Sequence, residues 1–386
     1  MAKSGPIPRR WLLVCRVVDN LGDAAVMWRL ARQLAVEHGL SVSLHIDEIA
    51  VLRHLVPAAR SGATIDGVAL HLLPPEAPSP PGGADVVVSG FHAALPPAWP
   101  AWMARHGPVW INLEYLSAEL WVDDFHGLPS PRPGGLVEHY FYPGFSARSG
   151  GLLRERDLLQ RRDAFMADPR RAAAFLSNLG VIRREGETLA SLLCYPHAPL
   201  VPLARALAGA GTRLHLLVPE GVASELVGAD GGARLAAMSA GLLRTTPLPF
   251  LPQADYDALL WSCDLNFVRG EDSWVRAIWS GRPFAWQAYP QDQGAHLAKL
   301  EAFLALCATT PASAPSDVLA DACRWWNDPG RGDPAAMVRL IADPSLAEPS
   351  IATLQARIEG PDLAARLVAF AGARWRSVRR GPDDRT

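Results

Sequence analysis

The stretch D-L-N-F-V-R-G-E-D-S-W-V-R-A-I-W-S-G-R-P-F-A-W-Q-A-Y-P-Q, Asp264 to Gln291, runs through a strand, a polar loop, a helix and a second strand. Leu265, Phe267 and Val268 are the apolar residues of a buried strand. Asp272 or Ser273 is placed to cap a helix through Trp274 to Trp279. Gly281 ends that helix, and Pro283 to Trp286 reads as the next strand. Arg269, Gly270, Glu271, Asp272 and Ser273 fill the turn between strand and helix. A helix start gathers unpaired backbone N–H groups and collects an anion. An Arg beside two carboxylates there can serve a diphosphate and sugar hydroxyls together, so the turn points to a nucleotide-sugar site. Gly270 would let a ligand approach the backbone closely. Ordinary capping with an Arg–carboxylate pair is the plainer reading, but the cluster is denser than a cap requires.

The same strand–helix alternation extends in both directions. Toward the N-terminus, Trp11 to Val18 is a strand, Ala24 to Glu37 an amphipathic helix and Leu40 to Ile46 a second strand, with a further helix at Ile49 to Leu55. Ala84 to Val88 and Val109 to Leu113 are short β-rich runs. Pro74 to Gly83 and Gly127 to Gly135 read as Pro-rich surface loops. Leu152 to Gly180 is charged and helical and holds the connection between domains. A new alternation starts at Thr188 to Tyr195 and continues through a helix at Pro199 to Ala210, a strand at Arg213 to Val218, and a helix at Asp255 to Ser262. Beyond Gln291 the pattern is helical: His296 to Leu306, Ser316 to Trp326, Pro334 to Ile341 and Ser350 to Trp375. Alternating strands and helices imply parallel sheets covered on both faces. The expected layout is therefore α/β with two Rossmann-like domains, 1–180 and 181–375, and a flexible tail 376–386. Tandem domains of this kind place their ligand sites at strand ends, across a cleft.

Composition narrows the function. The 386 residues are 49% hydrophobic and 20% charged, enough for a large core. A formal net charge of -2 argues against a general nucleic-acid binder. The five cysteines lie inside apolar segments without a C-x-x-C pair and read as buried thiols in a reducing compartment. No apolar run reaches the ~18 residues that span a bilayer. Arg16 and Asp19 cut short the first apolar run, which argues against a signal peptide. A cytoplasmic protein without membrane or nucleic-acid partners is expected.

Other stretches carry candidate chemistry. Asp19-Asn20-Leu21-Gly22-Asp23 puts two carboxylates in the turn after the first strand, a common active-site position in doubly wound folds. An Asx turn with Asp23 as a helix cap explains the same residues. The dinucleotide fingerprint G-x-G-x-x-G is absent. Phe250 and Gln253, ahead of the helix at Asp255, can stack on a base and read its edge, or be a core ring and a surface amide. Asn112, Glu114 and Tyr115 end a strand, and Trp121, Asp123, Asp124 and His126 follow; together they can line an acceptor surface. No spacing of His, Cys, Asp or Glu matches a usual metal motif.

Four motifs in order then resemble one family, the elongation factor P arginine rhamnosyltransferases. They are W-L-L-V-C-R-V-V-D-N-L-G-D from Trp11, N-L-E-Y-L-S-A-E-L-W-V-D-D-F-H-G-L-P-S-P from Asn112, H-Y-F-Y-P-G-F-S-A-R-S-G-G-L-L-R-E from His139, and Q-A-D-Y-D-A-L-L-W-S-C-D-L-N-F-V-R-G-E-D-S-W from Gln253. The resemblance implies a GT-B glycosyltransferase that moves rhamnose, with inversion, from dTDP-β-L-rhamnose to an arginine of elongation factor P, without a metal or other cofactor. It implies that Asp19 is the catalytic carboxylate, supported by Asp23, with Glu271 acting near the sugar and phosphates. Arg269, Asp272 and Ser273 would hold the diphosphate and nucleotide, and Phe250 and Gln253 the thymine, with Tyr195 nearby. Ala24-Ala25 and Leu193 depart from the family pattern. A GT-B transferase with another sugar or a small acceptor, and a non-catalytic nucleotide-binding regulator of a translation factor, are the competing expectations.

Overall fold

Strands that are apolar at nearly every position are buried on both faces, and such strands organise both halves of this chain. The structure is a computed structural model that describes residues 7–18, 21–80, 82–308, 317–358 and 360–379. The first half contains β1 (Arg10–Cys15), α1 (Leu21–Val36), β2 (Ser41–Ile46), α2 (Ile49–Leu55), β3 (Thr64–Ile65), β4 (Val68–Leu72), β5 (Val86–Gly90), α3 (Trp99–His106), β6 (Val109–Leu113), α4 (Val122–Phe125), β7 (Pro129–Arg132) and β8 (Leu136–Phe141). Next come α5 (Leu158–Met166), α6 (Pro169–Asn178), β9 (Thr188–Leu192), α7 (Leu200–Ala210), β10 (Leu214–Pro219), α8 (Val222–Leu226), α9 (Ala229–Met238) and β11 (Leu243–Leu248). The remainder is α10 (Gln253–Ser262), β12 (Leu265–Arg269), α11 (Asp272–Ser280), β13 (Phe284–Gln287), α12 (Ala295–Cys307), α13 (Val318–Asn327), α14 (Pro334–Ala342), α15 (Glu348–Arg357) and α16 (Leu363–Arg379).

Two sheets form, one in each of two units. The first has the order β3-β4-β2-β1-β5-β6-β8-β7 and the second β11-β10-β9-β12-β13. All five strands of the second sheet are parallel. In the first, only the two edge pairs, β3 with β4 and β7 with β8, are antiparallel. Each sheet starts at a central strand, builds outward on one side and then crosses to the other. This is the Rossmann-like order, and its direction reverses between β1 and β5 in one unit and between β9 and β12 in the other. The α/β expectation therefore holds in both halves.

The units divide differently from the expected boundaries at 180 and 375. One comprises Met1–Arg156 with Gly360–Thr386, and the other Asp157–Glu359. Apolar faces draw α5 and α6 into the second unit. Phe165 packs against Trp261 with ring centres 5.5 Å apart, and Leu176 shares a core with Leu189 and Leu259. The expected helix over 350–375 is two helices, broken by Gly360 (φ +117°) and Pro361. After the break α16 packs on the first sheet: Phe370 meets Phe141 at 5.5 Å, and Arg366 donates to the carbonyls of Ser146 and Ser149. Arg376 to Arg379, placed by the sequence in the tail, are the last turn of this helix.

The segment Gly127 to Gly135, expected as a loop, contains edge strand β7. Proline lacks a backbone donor and is tolerated where one side of a strand has no neighbour. All five cysteines are buried and none is paired. Burial pushes the thiols of Cys15, Cys194, Cys263, Cys307 and Cys323 up in pKa, so they pack as small apolar groups.

Candidate functional site

Where strand order reverses, neighbouring crossovers leave the sheet in opposite directions and open a crevice at the carboxyl ends of the strands. In the second unit that point is shared by Tyr195, just past β9, and Arg269, the last residue of β12. The Arg269 guanidinium lies 4.7 Å from the centre of the Tyr195 ring, a cation–π contact, and donates to the Cys194 carbonyl at 3.4 Å. The backbone N–H of Tyr195 donates to Gln287 Oε1 at 2.8 Å, and Gln287 Nε2 lies 3.1 Å from His197 Nε2. The ring of Tyr195 is parallel to that of His197 and edge-on to that of Tyr289. Burial, and then His296, lower the His197 pKa, which keeps this imidazole neutral near pH 7.

The loop after β12 is fixed by its backbone. Gly270 sits at φ +57°, a left-handed conformation that glycine adopts without strain. Its N–H donates to the Gln287 carbonyl at 3.2 Å, and its carbonyl accepts from Trp286 Nε1 at 2.8 Å. Neither Asp272 nor Ser273 caps α11, contrary to the sequence expectation. Glu271 occupies the cap position and makes no side-chain cap hydrogen bond. The Ser273 hydroxyl instead donates to the Arg269 carbonyl and accepts from its N–H at 3.1 Å, tying the helix to the end of the strand. The Asp272 carboxylate accepts from Arg276 Nε at 3.1 Å, and Arg276 Nη1 reaches Asp257 at 2.7 Å on α10. Both residues lie inside α11, one and two positions past the cap, and their side chains engage Arg269 and Arg276. The Glu271 carboxylate lies 3.3 Å from Lys299 Nζ. A positive helix terminus, Arg269 and a compensated carboxylate thus share one strand end.

Phe250 follows the edge strand β11 and Gln253 opens α10, past the carboxyl end of that strand, and both are half-buried. Gln253 Nε2 is buried and has no hydrogen-bond partner among the described residues. A buried donor of this kind is costly unless a ligand carbonyl completes it. The sequence reading reached Tyr195, Phe250, Gln253 and Arg269 to Ser273, and passed over His197, Gln287, Tyr289 and Lys299. Gln287 and Tyr289 lie inside the stretch that fixed the fold. Their alternation after Phe284 could have marked them, whereas nothing local singles out Lys299.

In the first unit the reversal falls between β1 and β5. Asp19 and Asn20 lie outside the described residues. Asp23 is in the first turn of α1 and buried, and its Oδ2 accepts from the Val18 N–H at 2.9 Å. This bond ties Val18 to the first turn of α1. Across the reversal, Gly90 ends β5 directly beneath α1: a Cβ there would stand 2.6 Å from Met27 Sδ. Phe91 and His92 then both take φ +56°, rare for residues with side chains. This turn aims His92 Nε2 at Glu114 Oε1, 2.8 Å away, while Asn112 Oδ1 accepts from the His92 N–H at 3.1 Å. Asn112 Nδ2 also donates to Glu114 Oε1. Burial raises the Glu114 pKa, opposed by His92. Tyr115 stacks on Phe91 at 4.5 Å, and Trp121 and Phe125 stay 40% and 51% exposed. Asp123 and Asp124 pair with Ser146 and Arg148.

Two Rossmann-like units, each built on a mainly parallel sheet with its own switch point, make up the GT-B fold. A glycosyltransferase from Rickettsia africae, only 10% identical, shares this fold with a TM-score of 0.51 over 97% of this chain and 99% of its own. The family model described as Elongation-Factor P (EF-P) rhamnosyltransferase EarP matches residues 11–372, and the chain belongs to that family. Relatives named protein-arginine rhamnosyltransferase are 44% identical in Pseudomonas aeruginosa, over 93% of this chain and 98% of theirs, and 48% identical in Pseudomonas putida, over 76% and 80%. A solved structure described as the structural basis for EarP-mediated arginine glycosylation of translation elongation factor EF-P is 32% identical, with a TM-score of 0.60 over 93% of this chain and 97% of that one. The chain is accordingly an enzyme, a protein-arginine rhamnosyltransferase.

Proposed function

We propose that this enzyme transfers rhamnose from dTDP-β-L-rhamnose to an arginine side chain of elongation factor P, with inversion at the anomeric carbon. The observation that carries the reading is the end of β12, where Arg269, Glu271 and the start of α11 meet at the switch point of a nucleotide-binding sheet. In this reading Arg269, Gly270 and Ser273 serve the diphosphate, with Asp272 holding the helix start through Arg276. Tyr195 and Phe250 flank the nucleotide, and the unpartnered amide of Gln253 meets a thymine carbonyl. The proposal calls on no metal and no cofactor besides the donor.

A guanidinium has a pKa above ~12 and a delocalised lone pair, so it is a weak nucleophile. Asp19 binds it through paired hydrogen bonds and aims one nitrogen at the anomeric carbon. The C–N bond forms as the bond from that carbon to the diphosphate oxygen breaks. The attacking nitrogen becomes acidic and passes its proton to Asp19, while dTDP leaves with the bonding pair, stabilised by Arg269 and the positive helix terminus. Asp23 keeps the loop that carries Asp19 in place. Glu271 orients rhamnose and stabilises positive charge at its anomeric carbon.

No described helix is long and apolar enough to cross a membrane. We place the reaction in the cytoplasm, where a translation factor and a nucleotide sugar are both found. The test is the intact mass of elongation factor P after incubation with the enzyme and dTDP-rhamnose. One added deoxyhexose is expected, lost with Asp19→Asn and with Glu271→Gln. Transfer at near wild-type rates by both variants would refute the assignment. An unmodified factor beside a turned-over donor would favour another acceptor, and binding without turnover a regulator.

A further inference from the structure

Glu271 poses an electrostatic problem. A carboxylate at a diphosphate site repels the ligand unless a cation compensates it, and Arg269 is engaged over Tyr195 and toward Cys194. The fold supplies that cation from α12. Lys299 Nζ lies 3.3 Å from Glu271 Oε1, with both side chains only 18% exposed. The choice of residue is itself informative. The chain has 37 basic residues, and only Lys3 and Lys299 are lysines. In a sequence so weighted toward arginine, a lysine at a partly buried carboxylate fits a site that takes a compact ammonium and not a planar fork.

The placement of Lys299 is also built. Phe303 follows it by one helical turn and lies on the same face of α12. Its ring packs edge-on against Trp274 at 4.9 Å and Trp286 at 5.5 Å, and those two indoles stack on each other at 3.7 Å. Trp274 belongs to α11, and Trp286 holds the Gly270 carbonyl. One aromatic cluster therefore fixes the register of α12 against the loop that carries Glu271.

We propose that Lys299 is a positioning residue of the donor site: its ammonium cancels the charge of Glu271 and holds that carboxylate so that a nucleoside diphosphate can bind beside it. The inference rests on the donor-site reading above. It predicts a definite pattern of dTDP binding by calorimetry on the full-length enzyme. Lys299→Met removes the ammonium beside Glu271 and weakens dTDP by about tenfold or more, as expected when a neighbouring cation is lost. Lys299→Arg keeps the charge and stays within about threefold of wild type. The double variant Glu271→Gln with Lys299→Met has no charge to compensate, and recovers dTDP binding to within about threefold of wild type. Its transfer activity stays lost, because the carboxylate is gone. Recovery in the double variant also shows that the lysine substitution leaves the fold intact. Wild-type binding by Lys299→Met, or a double variant no better than Lys299→Met, overturns the inference while leaving the donor site standing. A wild-type enzyme that melts cooperatively and binds no dTDP overturns the donor-site reading and this inference with it.

Discussion

Replacing Arg276 by methionine should unfold the second unit at markedly lower temperature. The Arg276 side chain is 2% exposed and is shared by Asp257 at 2.7 Å, 5% exposed, and Asp272 at 3.1 Å, 15% exposed. Removing one partner from a buried ion pair costs about 3–5 kcal/mol, because the remaining charge has lost water and counter-charge together. Arg161 lies 4.0 Å from Asp257 but is 38% exposed. It recovers at most ~1 kcal/mol, the usual worth of an exposed pair. The net loss is then about 3 kcal/mol. In a unit of roughly 200 residues that lowers the melting temperature by about 6–12 °C. Differential scanning calorimetry at neutral pH reads this directly. Adding Asp257→Asn and Asp272→Asn to Arg276→Met removes all three charges and should recover most of the loss, since an uncharged cluster is close to neutral in stability. Arg276→Met should also weaken dTDP, because Asp272 opens the helix that follows Glu271. A shift below about 2 °C, or a triple variant less stable than Arg276→Met, refutes the buried-charge argument.

Three further outcomes follow from the geometry. His45, stacked on His71 and edge-on to Trp99, is lowered by burial and then by His71 to about 3, and His215 by burial and then by Arg244 to about 4. A depressed histidine contributes stability above its unfolded pKa, near 6.5, that is lost as pH falls toward the folded value. Each unit should therefore lose about 1.4 kcal/mol per pH unit below 6.5 from its own histidine, and His45→Phe should flatten that slope in urea titrations of the first unit. Gly90→Ala puts a methyl 2.6 Å from Met27 Sδ and should cost about 1–3 kcal/mol by chemical denaturation, partly recovered by Met27→Ala; an additive double variant would contradict the contact. Tyr195→Ala removes the ring beneath Arg269 and should raise KM for the donor about tenfold with a smaller change in kcat, while Tyr195→Phe keeps the ring and stays near wild type.

Local signals decided much of this protein. Leu265 to Val268 are apolar at almost every position, so that strand had to be buried on both faces, and a polar turn between it and a helix had to lie at a strand end. The backbone alone makes such a turn an anion site, which is why Arg269 to Ser273 were legible without a structure. The 3.6-residue spacing through Ala24 to Glu37 likewise announced α1. What the sequence could not settle depended on which distant groups compete for one side chain. Ser273 and Asp272 are good caps by type, yet both lie inside α11 and their side chains engage Arg269 and Arg276. Pro129 and Pro131 read as loop residues until the sheet supplied an edge on which their missing donors do no harm. The helix past Gly360 belongs to the first unit because Phe370 finds its apolar surface on β8, more than two hundred residues earlier in the chain. Lys299 shows the same division of labour. Its charge is written in the sequence, but its meaning comes from Phe303, Trp274 and Trp286, whose packing alone brings an ammonium from one helix to a carboxylate at the start of another. Periodicity is a property of neighbours along the chain, whereas the competition for a hydrogen bond or a counter-charge exists only after folding has brought the competitors together.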